Sequence, residues 1–179
     1  MDPAQVAVGG GVLTLTLVAR PETCGGVTQP YTSGMVTTDG HFSVTYGYLE
    51  ARIWLPRDAG RVADWPGFWA DGQVWPADGE IDVAEGLAGR VEGHLHYSGG
   101  AVGPVVGPGR YAGGWHTFAV DWEPGSVTYY YDGRDVGRLT TGVPDQPLYL
   151  ILDLAVSGGP GTLAPAAMRV AYVRVWQHP

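Results

Sequence analysis

The stretch YLEARIWL, residues 48–55, alternates without a break. Leu49, Ala51, Ile53 and Leu55 fall on one side and Tyr48, Glu50, Arg52 and Trp54 on the other, because successive side chains of an extended chain point to opposite faces. Wound as a helix, the same residues would mix both sets around the axis. The stretch therefore predicts a strand with one face in a core and the other carrying aromatic and ionisable groups.

The same pattern recurs outward along the chain. In VEGHLHY, residues 91–97, Glu92, His94 and His96 lie opposite Val91, Leu95 and Tyr97. In PLYLILDLAV, residues 147–156, Tyr149, Ile151 and Asp153 lie opposite Leu148, Leu150, Leu152 and Leu154. Further short runs between turn residues predict strands near 12–19, 44–55, 66–70, 80–85, 116–122, 127–131 and 168–176. Asp132-Gly133, directly after three tyrosines, marks a hairpin. With 29 Gly, 14 Pro and no long run of helix formers in 179 residues, the fold class is all-β. So many short strands in one chain favour a sandwich or jelly roll over an open sheet. No repeat or linker divides residues 1–179, so a single domain is expected. Faces that combine aromatic rings with charged groups suit a sugar cleft, where rings stack on pyranose C–H faces and charges bind hydroxyls.

Charge and composition exclude other classes. The net charge of −8 would repel a phosphate backbone, so nucleic acid is not expected as a partner. All ten basic residues are Arg, and Lys and Asn are absent, which reads as codon bias. No apolar run approaches membrane-spanning length, so no membrane partner is expected. Cys24 is the only cysteine, which rules out an internal disulfide and predicts a small buried apolar residue.

The segment GEIDVAEG, residues 79–86, sets Glu80, Asp82 and Glu85 within six residues. Strict alternation puts Glu80 and Asp82 on one face and Glu85 on the other. A one-residue bulge near Val83-Ala84 restores the parity and brings all three together. Three converging carboxylates cannot all ionise cheaply, so one is expected to hold a proton while another stays charged. Such a pair can serve as general acid and nucleophile. Trp65, Trp69 and Trp75 precede Glu80 within fifteen residues.

The segments WPGFW, WPADGEIDVAEG, YGYLEARIWLP, HTFAVDW and YVRVW are together similar to the laminarinase-like branch of glycoside hydrolase family 16. That resemblance implies a concanavalin-like β-jelly-roll sandwich of two antiparallel sheets with an open cleft on the concave face. It also implies retaining endo-hydrolysis of β-1,3- or mixed β-1,3/1,4-glucan by double displacement. Carried over by position, Glu80 is the nucleophile, Asp82 positions it and Glu85 is the acid/base. Arg52, Trp69, Trp75 and His96 match substrate-binding positions. The expected partner is a β-glucan polysaccharide, met by a secreted monomer without a cofactor. The chain departs from the family in a short N-terminal segment, in Asp153 where Asn is common, and in Ala171 where an Asp commonly supplies a ligand to a structural calcium. No metal site is therefore expected. Two other readings stand beside this one. One is a carbohydrate-binding jelly roll with weak or lost hydrolase activity. The other is a cupin-type metal enzyme built on Glu92, His94 and His96.

Overall fold

The computed structural model describes residues 1–156 and 162–178. Apart from a 3-10 turn at Pro3–Gln5, the regular structure of these residues is extended. Two antiparallel sheets make up the body of the fold. One has eight strands, ordered Val6–Gly9, Val12–Val18, Ala166–Trp176, Gly47–Trp54, Trp115–Glu123, Ser126–Tyr131 and Arg134–Leu139, with Thr32–Ser33 paired to Val12–Val18. The other has six, ordered Gly100–Val106, Arg90–Tyr97, Glu80–Leu87, Trp65–Asp71, Tyr149–Ala155 and Met35–Thr37. This is the β-jelly-roll sandwich that the alternating runs imply.

The core lies between the sheets. Leu49, Ala51 and Ile53 of the eight-stranded sheet are fully enclosed, as are Phe118, Val120, Trp122 and Tyr129. Phe68, Ile81, Val83, Leu95, Leu148 and Leu154 meet them from the six-stranded sheet. Each fully buried large apolar side chain contributes about 1.5–3 kcal/mol, so the alternation fixes which face turns inward.

Several boundaries differ from the sequence reading. The run 44–55 is not one strand. Val44 forms an isolated bridge to Leu148, and the chain turns at Tyr46 and Gly47, with φ of 65° and 132°. A Cβ on Gly47 would sit 2.4 Å from the Trp176 carbonyl oxygen, so the strand can begin there only with glycine. The Asp132-Gly133 hairpin forms with both residues at positive φ, as a two-residue turn requires. The strand Gly100–Val106 was not legible, because its Gly and Pro content reads as loop. Cys24 is exposed rather than buried, since its hairpin with Val27–Gln29 is open to solvent on both faces. No helix of the described residues is long and apolar enough to cross a membrane.

Candidate active site

The strand Glu80–Leu87 lies between Trp65–Asp71 and Arg90–Tyr97. Trp69 is in register with Asp82, and Phe68 with Ala84, so one residue of Glu80–Leu87 is skipped at Val83. On the other side Asp82 faces His94 and Glu85 faces Glu92, the same single-residue bulge. Val83 and Ala84 both go into the core, and Glu80, Asp82 and Glu85 share the outer face. A bulge interrupts a ladder and frees backbone groups that must find partners. Here the buried Tyr131 hydroxyl reaches across the core and donates to the Val83 carbonyl at 3.0 Å. Tyr129 likewise donates to the His94 carbonyl at 2.8 Å. The Tyr129 ring lies so close to Gly93 that a Cβ there would come within 2.3 Å of it.

On the cleft side three indoles each donate to a different carboxylate. Trp75 Nε1 donates to Glu80 at 2.5 Å, Trp65 Nε1 to Glu85 at 2.9 Å and Trp69 Nε1 to Asp153 at 2.9 Å. Gly67 makes the floor possible, because a Cβ there would sit 2.5 Å from Asp153 Oδ1 and 3.2 Å from the Trp69 ring. A cavity of about 240 Å³ lies on this floor, bounded by Trp65, Gly67, Trp69, the three acids, Asp153 and Ala155.

The imidazoles complete the arrangement. His94 Nδ1 is 2.9 Å from Glu85 Oε2, and its Nε2 is 3.6 Å from Glu92 Oε2. Glu92 is anchored in turn by Arg90 Nε at 2.6 Å. His96 Nε2 is 3.2 Å from Asp82 Oδ2 but off the line of a directed hydrogen bond, which leaves that buried oxygen without a donor. Donor atoms of Glu80, Asp82 and His96 lie within 4.8 Å of one another, as do those of Asp82, Glu85 and His94. Such spacing follows from the carboxylate–imidazole contacts just described.

Burial decides the charges. Asp82, with 2% of its surface exposed, is pushed well above the usual carboxylate range by desolvation. The negative charges of Glu85 and Glu80 push in the same direction, and His96 opposes them. Asp153 is raised to about 6, again first by burial, with the Trp69 indole opposing. A neutral Asp82 between two glutamates can donate a hydrogen bond, which an ionised one cannot.

Of the sequence-predicted residues, the structure brings together Glu80, Asp82, Glu85, Trp69, Trp75 and His96. Arg52 is a correction. It lies on the outer face of the eight-stranded sheet, across the core from the cleft, with its guanidinium 5.3 Å from the Trp115 ring centre. Its alternation was read correctly, but alternation does not say which sheet a strand joins. Trp65 and His94 also belong to the cleft, outside the set that the resemblance carries over; His94 enters the sequence reading only through the cupin-type alternative. The period-2 set Trp65, Gly67, Trp69 carried the signal for the first. Position 171 is Ala, and the Asp2 carboxylate is engaged by Arg20 and the Ala4 amide.

Comparison with known proteins agrees with this geometry. Residues 2–174 match glycosyl hydrolases family 16. The chain belongs to that family. It is 33% identical over 188 residues to the endo-1,3-1,4-beta-glycanase EglC of Rhizobium meliloti, a match covering 95% of this chain and 39% of that protein. Among solved structures, the endo-beta-1,3-glucanase of Pyrococcus furiosus superposes with a TM-score of 0.85 at 30% identity, over 98% of this chain and 78% of that one. The laminarinase catalytic domain of Thermotoga maritima gives a TM-score of 0.85 at 28% identity, over 99% and 82%. The chain thus spans well under half the length of its Rhizobium relative.

Proposed function

We propose that the chain is a retaining endo-β-glucanase acting on β-1,3- or mixed β-1,3/1,4-linked glucan. The observation that carries this reading is the bulge at Val83-Ala84, which turns Glu85 onto the face of Glu80 and Asp82. Glu80 attacks the anomeric carbon while Glu85 gives a proton to the leaving glycosidic oxygen. A covalent glycosyl-enzyme results. Glu85, now ionised, takes a proton from water, which attacks the same carbon and restores Glu80 with the original configuration.

The neighbours suit these roles. Trp75 fixes the orientation of the Glu80 carboxylate through one oxygen. Asp82, pushed toward its neutral form by burial, can donate a hydrogen bond toward Glu80. The chain Arg90, Glu92, His94 ends on Glu85, whose carboxyl is oriented by His94 Nδ1 from 2.9 Å. Exposed Trp65 and Trp75 offer rings to the sugar. The reading places the protein outside the cell as a monomer, where a polymer too large to import is met.

Reducing-end release from laminarin and lichenan, with sizing of the products, tests the proposal. Oligosaccharides of mixed length with retained β-configuration are expected. Binding of either glucan without any release would move the chain to a carbohydrate-binding jelly roll.

A further inference from the structure

The same tetrapeptide, Ala-Gly-Arg-Val, occurs at residues 59–62 and 88–91. Both copies form tight hairpins with the two turn residues at positive φ: Ala59 at 45° and Gly60 at 83°, Ala88 at 49° and Gly89 at 81°. Alanine in the left-handed region costs roughly 1 kcal/mol, so both turns hold a conformation that their sequence disfavours. The hairpins are tied to each other by the Val62 amide, which donates to the Gly89 carbonyl at 3.0 Å. Each places an arginine directly after its turn.

Arg61 and Arg90 both line a cavity of about 510 Å³, and Arg110 from the facing loop closes it. The buried Tyr111 ring stands among the same walls. No carboxylate is in the lining. Three of the ten arginines of a chain with net charge −8 therefore converge on one concavity. They are held but not consumed. Arg61 donates once, to the Ala88 carbonyl at 2.5 Å, and lies across the turn where a Cβ on Gly89 would meet its Nε at 2.4 Å. Arg90 gives only its Nε to Glu92. Arg110 has no ion-pair partner among the described residues. A guanidinium offers five N–H donors in a planar fork matched to oxyanions, so most of this capacity is left for a ligand.

Arg90 links the pocket to the cleft strand. Arg90 is on the same strand face as Glu92, His94 and His96, and its register partner Leu87 is two residues beyond Glu85. That is roughly 7 Å along the strand, about the reach of one sugar and its substituent.

We propose that this pocket is a subsite for an acidic substituent, a carboxylate or sulfate ester, carried on the glucan bound in the cleft. The inference rests on the glucanase reading above and sharpens its substrate class. A neutral glucan still binds, but an acid-decorated chain gains oriented charge-assisted contacts from the arginines.

The test compares laminarin with carboxymethylated laminarin in the full chain and in Arg61→Gln/Arg110→Gln. The ratio of kcat/KM on the charged to the neutral polymer is expected to be about fivefold in the parent and near one in the double variant. The parent ratio should also collapse at high salt. Taking a ratio within each protein removes any common loss from folding. An equal ratio in parent and variant overturns the proposal. A binding arm separates it from the glucanase reading: in Glu80→Gln, calorimetry with carboxymethylated laminari-oligosaccharides should show about fivefold weaker binding once Arg61 and Arg110 are replaced. Unchanged affinity overturns the subsite even if hydrolysis is confirmed, and the arginine-dependent difference supports it even if no turnover is seen. Inorganic sulfate is the control. Arginine-dependent sulfate binding together with no preference for the charged glucan makes the pocket a site for free anions and also overturns the proposal.

Discussion

Two outer faces of this sandwich carry the same alternating mixture of aromatic and ionisable residues, and only one of them is a cleft. On the six-stranded sheet the polar atoms converge: three indole N–H groups end on three carboxylates, and two imidazoles reach Glu85 and Asp82. On the eight-stranded sheet they pair off locally. Arg52 lies over Trp115, Arg174 lies over Tyr172, and the Tyr172 hydroxyl donates to Glu50 at 2.8 Å. The rings there pack against each other, Trp54 edge-on to Trp115 and Tyr48 tilted against Trp176. A face of satisfied pairs stabilises a sheet. A face with like charges held close, one of them desolvated, keeps chemical potential for a substrate.

The sharpest test of that contrast is removal of the two glutamates. Glu80→Ala and Glu85→Ala should each lower kcat on laminarin by at least about 10³-fold, in the range of lost nucleophiles and general acids. They should then diverge. Glu85→Ala still glycosylates on an aryl glucoside-type substrate with a good leaving group, and azide should rescue it to a β-configured azide product. Azide rescue of Glu80→Ala with that configuration would reverse the roles.

Next in size is a stability effect confined to the cleft floor. Asp153 keeps its proton up to about pH 6 when folded, against about 3.9 in an unfolded chain. The folded state therefore binds the extra proton between those values. Stability from this group is full below the unfolded value and falls as pH rises through 6. The two-unit difference corresponds to about 3 kcal/mol. Asp153→Asn keeps an oxygen for the Trp69 indole without the charge. It should raise the melting temperature at pH 8 and leave it unchanged at pH 4. An equal rise at both would show that packing, not ionisation, separates the two side chains.

How much of this was legible can be judged residue by residue. The bulge was legible, because Glu80 and Glu85 have opposite parity and only an extra residue lets both face the same way. The inward faces of residues 49–55 and 148–154 were legible from period two alone. Which sheet each strand joins was not, since Arg52 and His94 occupy equivalent positions in equally regular patterns. That difference comes from pairing partners far along the chain, Trp115–Glu123 for one and Glu80–Leu87 for the other. Cys24 was misread for a related reason: burial of a small residue depends on what packs over its hairpin, and nothing does.

A smaller activity effect should come from His94. Replacement by Ala leaves Glu85 with the Trp65 indole alone and Glu92 with Arg90 alone. Loss of one charge-assisted hydrogen bond corresponds to about tenfold in kcat. His94→Gln, which keeps an N–H donor, should recover part of the rate. An equal tenfold loss in both variants would reduce His94 to a packing residue.

The smallest expected effect belongs to Arg52, and it bears most directly on the contrast between the faces. The side chain is exposed, its pair with Trp115 is open to water, and cation–π contacts at such sites stabilise by about 0.5–1 kcal/mol. Arg52→Ala should therefore lower the melting temperature by no more than a few degrees, as about 1 kcal/mol does in a domain of this size. The core separates Arg52 from the cleft, with Leu49, Ala51 and Ile53 filling the space between. Its charge is too far from Glu80 and Glu85 to survive screening at physiological salt. On laminarin kcat/KM should stay within about twofold of the parent, the scatter of distant surface substitutions. The control is Trp69→Phe, which removes an indole N–H of the same pattern from the cleft side and leaves Asp153 without its donor. A larger activity loss is expected there than at Arg52. If instead Arg52→Ala cost tenfold with an unchanged melting temperature, the face of satisfied pairs would be contacting glucan as well, and convergence of polar atoms would no longer distinguish a cleft from a support.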